Sequence, residues 1–242
     1  MSAASQALAI SNSSALFDDA SENAVMGNYI LEMIGCSKPV VCHVGAANGD
    51  SIERADRFFS LAKRIGFQPQ HLNLFDLNDG DPTSFFRDVD AIYIDGGSTR
   101  NLKALLKEWQ ADRALAEAYA AGIPLVGASA GANILFEWGM TDSVRTKIAP
   151  VQGLGLIEGS ISVHSNVRKD RVVAFKDHMS SPQAKFPAYS LNDGAALHFI
   201  DGVLAAVVSL HGDGLAWEYT VDGCARTPLA SSVLAPDGAA TK

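Results

Sequence analysis

Residues 123–137, Ile-Pro-Leu-Val-Gly-Ala-Ser-Ala-Gly-Ala-Asn-Ile-Leu-Phe-Glu, constrain the fold more than any other part of the chain. A short apolar run with β character leads into Gly127, small residues turn the chain as far as Gly131, and Ala132, Ile134, Leu135 and Phe136 continue as a helix. Strand, sharp turn and helix with Ser129 at the apex is the pattern of a nucleophile elbow. A serine in such a turn occupies a strained backbone, and side chains two positions to either side would strike the neighbouring strand or helix. Gly127 and Gly131 remove that collision. The turn also sets the Ser129 hydroxyl at the C-terminal edge of a sheet, beside the free N–H groups of a helix start. The bland reading is an ordinary strand-to-helix turn, where Gly, Ala and Ser also collect.

The flanking sequence alternates strands with helices. From Ser21, Ala24, Met26, Tyr29, Ile30, Met33 and Ile34 recur at helical spacing, and Gly35 is the stop. Residues 38–45 read as a buried strand, 46–51 as a loop, and 51–65 as a helix ended by Gly66. A strand near 71–75, a polar turn at 78–82, a short helix at Phe85 and Phe86, and a strand at 91–94 follow. The loop 95–99 then leads into a helix over 101–109. This order predicts an α/β fold with an open, mostly parallel sheet and helices on both faces. Beyond the elbow, 139–143 and 153–159 read as loop-rich connections, 161–164 as a strand ending in His164, and 166–179 as a helix. Short runs at 188–191, 195–200, 203–210 and 215–221, separated by turns such as Asn192-Asp-Gly, predict antiparallel strands at the C-terminal edge. Residues 1–19, rich in Ala and Ser without a period, are expected to be a partly ordered N-terminal segment, 20–230 a single domain, and 231–242 a flexible tail.

Length and charge limit the function. A chain of 242 residues, 48% hydrophobic, buries one substantial core. A net charge of −8 with no cluster of Lys and Arg argues against a nucleic-acid or anionic-membrane surface. No apolar stretch approaches a membrane span. The first basic residue is Lys38, so the N-terminus lacks the positive region of a signal peptide, and the apolar run at 7–10 is too short for its core. Cys36, Cys42 and Cys224 are odd in number and irregular in spacing, which suits neither a disulfide framework nor a metal site. A cytoplasmic location is therefore the expectation.

Two further features bear on chemistry. Asp95-Gly-Gly-Ser-Thr99 follows a strand directly, and glycines there let backbone N–H groups approach a ligand. Phosphate binding, an oxyanion hole and a plain turn all remain open, although neither the P-loop spacing nor a dinucleotide fingerprint is present. A serine nucleophile also needs a base and an acid to orient it. His164, at a strand end after the elbow, is the best-placed base, with Asp193 in the Asn-Asp-Gly turn as its acid. Asp193 with His211, and Asp177 with His198, stay open because triads occur in several chain orders. Taken singly, each is more often a satisfied polar group.

Together these blocks resemble the peptidase E family of serine peptidases. The carriers are the elbow, Tyr93-Ile-Asp-Gly-Gly-Ser-Thr-Arg-Asn101, Gly153-Leu-Gly-Leu-Ile157 leading into His164, Leu191-Asn-Asp-Gly-Ala-Ala-Leu-His198, and Ala46-Ala-Asn-Gly-Asp-Ser51. The resemblance implies a fold related to class I glutamine amidotransferases, no metal or cofactor, and hydrolysis of short peptides, with Asp-Xaa dipeptides preferred. It also implies Ser129 as nucleophile, His164 as general base, Asp193 as orienting acid, and the N–H groups of Gly97 and Ala130 as oxyanion hole. Arg168 matches the position that binds the substrate's aspartate side chain, and Gly96 and Ser98 belong to the substrate-binding loop. The expected partners are a short peptide substrate and, at most, a second copy in a homodimer.

Three departures concern specificity. The family's loop usually reads G-G-G-N-T, so Asp95 adds a carboxylate that would disfavour an acidic substrate. Asp193 stands where related dipeptidases carry glutamate, and the segment between His164 and Arg168 is short, which would open the site to longer peptides. The other readings are a same-scaffold peptidase of different specificity, an esterase, which should carry a His-Gly-Gly type loop, a glutamine amidotransferase, which uses cysteine at the elbow, and a non-catalytic binding protein.

Overall fold

The computed structural model describes residues 3–17, 24–77, 80–144, 147–223, 225–234 and 240–241. The chain opens with a strand, β1 (Gln6–Ile10), and a short helix, α1 (Ser14–Phe17). The helix α2 (Val25–Ile34) ends at Gly35, whose φ of 78° is costly for a side chain bearing Cβ. Next come β2 (Val40–Val44), α3 (Ile52–Ile65), β3 (Gln68–Leu72), α4 (Pro82–Arg87) and β4 (Ala91–Ile94). Two helices, α5 (Thr99–Glu108) and α6 (Ala111–Ala120), lead to β5 (Leu125–Ala128) and the elbow helix α7 (Ala130–Leu135). The second half contains β6 (Phe136–Thr141), β7 (Ala149–Gln152), β8 (Ile157–Ser162), α8 (Lys169–Met179) and β9 (Ala188–Leu191). It closes with β10 (Ala195–Ile200), β11 (Val203–Ser209), β12 (Ala216–Tyr219), β13 (Arg226–Pro228), β14 (Ser232–Leu234) and β15 (Ala240–Thr241).

The main sheet has the order β15-β14-β11-β10-β1-β5-β4-β2-β3. From β1 to β3 every pairing is parallel, whereas β10 joins β1 and β11 antiparallel, as the turn-rich C-terminal sequence predicts. Strand alternation divides β1 between two cores: Ala7 and Ala9 face the cluster containing Leu102, Leu106, Leu115 and Ile134, and Leu8 and Ile10 face the one containing Met26, Ile30, Phe58 and Leu61. Helices α5, α6 and α7 thus cover one face, and α2 and α3 the other.

Two expectations fail here. Residues 1–19, expected to be a partly ordered segment, contain β1, which lies in the middle of the sheet with Ala7–Ile10 wholly buried. Its four apolar residues are too few to show a period, but between two strands four are enough. Residues 1–2 and 18–19 lie outside the described residues. Within the supposed tail, β14 pairs parallel with β11 and buries Leu234; residues 235–239 and 242 lie outside the described set, as do Asn78 and Asp79 of the expected turn and Cys224.

A second sheet, of order β13-β12-β9-β8-β6-β7, takes up segments read as loops. The elbow helix stops at Leu135 instead of running on through Phe136, because the N–H groups of Leu154, Leu156 and Gly155 bond the carbonyls of Ile134, Leu135 and Phe136. A side chain on Gly153 would lie 2.2 Å from the Phe136 carbonyl oxygen, so only glycine lets this loop cap the helix. Residues 188–191 and 216–219, expected at the edge of the main sheet, instead pair antiparallel in this second one. Among the described residues, no helix is long and apolar enough to cross a membrane.

The placement of β1 is testable. Truncating the fully buried Leu8 to Ala should cost about 2–5 kcal/mol in chemical denaturation. A loss below about 0.5 kcal/mol, typical of surface positions, would contradict a core strand.

Candidate active site

Ser129 lies between β5 and α7 with φ 53° and ψ −106°, a conformation that a non-glycine residue holds only when its surroundings enforce it. The enforcement is steric. A Cβ on Gly127 would sit 2.3 Å from the Gly131 carbonyl oxygen, and one on Gly131 would sit 2.0 Å from that of Ile94, so both glycines allow helix and strands to touch. The Ser129 N–H is tied to the Ile10 carbonyl at 2.9 Å.

Ser129 Oγ is 2.9 Å from His164 Nε2, and His164 Nδ1 is 2.6 Å from Asp193 Oδ1. His164 follows β8 with φ 62°, and Asp193 lies in the turn between β9 and β10. The His164 and Asp193 side chains are 22% and 26% exposed, which leaves the pair accessible from a cleft. The alternatives left open resolve elsewhere: His198 bonds Tyr29 Oη and Gln6 Oε1, and Asp193 is bonded to His164.

The segment following β1, which the sequence reading set aside, holds this arrangement. Ser11 Oγ accepts the His164 N–H at 3.0 Å and lies 3.2 Å from Asp193 Oδ1, where it donates, with the Leu191 carbonyl as a longer alternative at 3.4 Å. Asn12 Oδ1 accepts the Gly194 N–H at 2.8 Å, and Asn166 Oδ1 accepts that of Asp193 at 2.9 Å. The available signal was local: a short apolar run followed by small polar residues, the same pattern that marks the ends of β4 and β5.

The glycine loop after β4 forms the neighbouring wall. Asp95 is wholly buried, yet it is not an open charge facing substrate, as its sequence position suggested. Arg54 grips it in bidentate fashion, at 2.8 Å from Nε and 2.6 Å from a terminal nitrogen, while Ser13 Oγ, Tyr93 Oη, Asn48 Nδ2 and the Gly96 N–H also donate to it. Burial pushes its pKa up, but hydrogen bonds from His43 and Arg54 and the Arg54 charge outweigh that and hold it well below the usual carboxylate range. Asn48 Nδ2 also donates to the Gly96 carbonyl at 3.2 Å. In a trans peptide the next N–H points the opposite way, so this contact turns the Gly97 N–H away from Asn48. Neither that group nor the Ala130 N–H makes a hydrogen bond among the described residues. Gly97, at φ 145°, has room for no side chain, since a Cβ would meet the Ala47 carbonyl oxygen at 2.3 Å.

A cleft of about 410 Å³ joins these parts; Ser129, His164, Asp193, Gly96 and Gly97 line it, and so do Arg54 and Arg57 of α3. Two expected site residues are not among its lining residues. Ser98 Oγ caps α5 by accepting the Asn101 N–H. Arg168 pairs with Asp142 at 2.6 Å and with Asp170 at 3.0 Å.

Residues 7–207 match the family model of peptidase family S51. The chain is 38% identical over 190 residues, 78% of its own length and 81% of the relative's, to the uncharacterized peptidase YgaJ of Bacillus subtilis (strain 168). Its fold resembles that of a peptidase from an acI-B1 Actinobacterium, with TM-score 0.65, 18% identity and coverage of 94% of this chain and 95% of that one. It also resembles a putative peptidase E protein from Listeria monocytogenes EGD-e, with TM-score 0.62, 18% identity and coverage of 85% and 97%. The chain belongs to peptidase family S51, and it is an enzyme of the serine peptidase class that acts on peptides.

The Asp95 network predicts a pH signature. Asp95→Asn removes the buried carboxylate that Arg54 grips and should cost about 3–5 kcal/mol near neutrality. Because the folded carboxyl is depressed, its contribution is complete above the unfolded value, about 3.9, and fades as pH falls below it. The stability gap between wild type and Asp95→Asn in urea titrations should therefore narrow below about pH 4. A gap constant from neutrality to pH 3 would exclude the charged pair as its cause.

Proposed function

We propose that the protein hydrolyses short peptides through an acyl-enzyme formed on Ser129. His164 takes the Ser129 proton as the oxygen attacks the scissile carbonyl, and Asp193 holds the imidazole in the tautomer this requires. The Gly97 and Ala130 N–H groups receive the oxyanion, an electrostatic contribution worth about 10²–10³ in rate per donor. His164 then protonates the leaving amine and activates the water that frees the acyl group. The observation that carries this reading is the continuous hydrogen-bonded chain from Ser129 through His164 to Asp193, with a nucleophile whose backbone strain is enforced by two glycine contacts. Asp-Xaa dipeptides are the substrates that the family resemblance favours.

One observation supports a second reading of the substrate's length. A neighbouring depression of about 540 Å³ along α3 shares Arg57 with the cleft, which suits peptides longer than two residues.

Steady-state hydrolysis of Asp-Leu, Ala-Leu and an N-blocked tripeptide tests both readings. Ser129→Ala and His164→Ala should each lower kcat/KM by about 10³-fold or more. Near-normal turnover by Ser129→Ala would remove the proposed mechanism. Serine-dependent cleavage of Asp-Leu alone would assign a dipeptidase, and cleavage of the blocked tripeptide would assign the longer substrate.

A further inference from the structure

We propose that Asn48 is a positioning residue of the hydrolysis: its side-chain amide holds the peptide between Gly96 and Gly97 with the N–H turned toward the oxyanion, so the rate depends on it although it bonds neither Ser129 nor His164. The inference rests on the peptidase reading above and adds what keeps the oxyanion site in its working orientation. Asn48 belongs to the block 46–51, Ala-Ala-Asn-Gly-Asp-Ser, for which the family resemblance implies no role. It ends the single 3₁₀ turn Ala46–Asn48 that follows β2, and it lines the cleft that contains Ser129. The Gly96–Gly97 peptide lies beside the nucleophile, since a Cβ on Gly96 would meet the Ser129 Cβ at 3.2 Å.

Three contacts fix the direction of the Asn48 amide. Its Oδ1 accepts the Ser51 N–H at 3.1 Å, so Nδ2 is the end that faces the glycine loop. There Nδ2 donates to Asp95 Oδ2 at 3.0 Å and to the Gly96 carbonyl at 3.2 Å, which commits both of its protons. The peptides on either side are held independently: the Gly96 N–H bonds Asp95 Oδ1 at 2.7 Å, and the Ser98 N–H bonds the Ala47 carbonyl at 2.8 Å. Between them, among the described residues, the Gly96 carbonyl accepts from Asn48 alone and the Gly97 N–H donates to no protein group. A peptide flanked by two glycines turns over at little steric cost, because neither neighbour carries a Cβ. Turned over, it would present the Gly96 oxygen where a developing oxyanion needs a donor. The Asn48 bond selects the working orientation.

Two rates measured on Asn48→Ala protein test this: kcat for hydrolysis of Asp-Leu, and the second-order constant for labelling of Ser129 by a fluorophosphonate, whose phosphoryl oxygen takes the oxyanion position. Both should fall about tenfold or more, since losing an oxyanion donor outright costs about 10²–10³. KM should stay within about threefold, as expected for an interaction made only in the transition state. The acid limb of the pH profile of kcat/KM, which reports the histidine base, should not move, because Asn48 bonds neither His164 nor Asp193. Asn48→Asp is equal in size and still accepts the Ser51 N–H, but its carboxylate cannot donate to the Gly96 carbonyl. It should show the same losses, and it carries the test if circular dichroism finds Asn48→Ala unfolded. The inference is overturned by a folded variant whose two rates stay within about threefold of wild type, by a loss carried in KM, or by a displaced acid limb. The peptidase reading fails separately, by Asp-Leu hydrolysis that persists in Ser129→Ala, and the labelling rates then decide on Asn48 by themselves.

Discussion

Every functional loop of this protein is tied to the last residue of its first strand and the three that follow. The Ile10 carbonyl holds the Ser129 N–H, Ser11 bridges the backbone of His164 and the carboxylate of Asp193, Asn12 holds the turn at Gly194, and Ser13 donates to Asp95. These contacts follow from one topological fact. The strand β1 is inserted between β5, which leads into Ser129, and β10, which follows Asp193. Its C-terminal end therefore emerges where the separate pieces of the site meet. Parallel strands gather their C-terminal ends at one edge of a sheet, and binding sites form there for that reason.

Around that edge, close packing and charge compensation act together. The elbow works because Gly127 and Gly131 let the backbone of α7 approach β5 and β4 more closely than any side chain allows. The adjacent loop works because a buried carboxylate orders it. Asp95 gathers donors from α3, from the end of β4 and from the segment after β1, so the loop bearing Gly97 is fixed from three directions. A buried charge left unmatched would be costly, whereas here a bidentate arginine matches it. Asp95 is thus an internal strut of this loop.

Much of this was legible in the sequence, and the remainder was not for identifiable reasons. The elbow could be read because strand, glycine turn and helix are all local, and His164 and Asp193 because each closes a short apolar run. The parallel core could be read from alternating periods ended by Gly35 and Gly66, both at positive φ. β1 could not, since four apolar residues in an Ala- and Ser-rich stretch show no period, and their burial is decided by neighbours nearly 120 and 190 residues away. The second sheet was hidden for a related reason: β6, β7 and β8 carry Gly, Pro, Thr and Ser, and their pairing is settled by tertiary contacts rather than propensity. The partners of Asp95 and Arg168 were not legible, because sequence position shows where a charge is, not which groups already bond it.

The proposed hydrolysis requires Ser129 to be an activated nucleophile. A fluorophosphonate reagent modifies a serine whose proton a neighbouring histidine can accept, and peptide mapping by mass spectrometry locates the adduct. Stoichiometric labelling is expected at Ser129, abolished in His164→Ala although Ser129 is still present. Labelling at another residue, or at Ser129 equally well without His164, would contradict it.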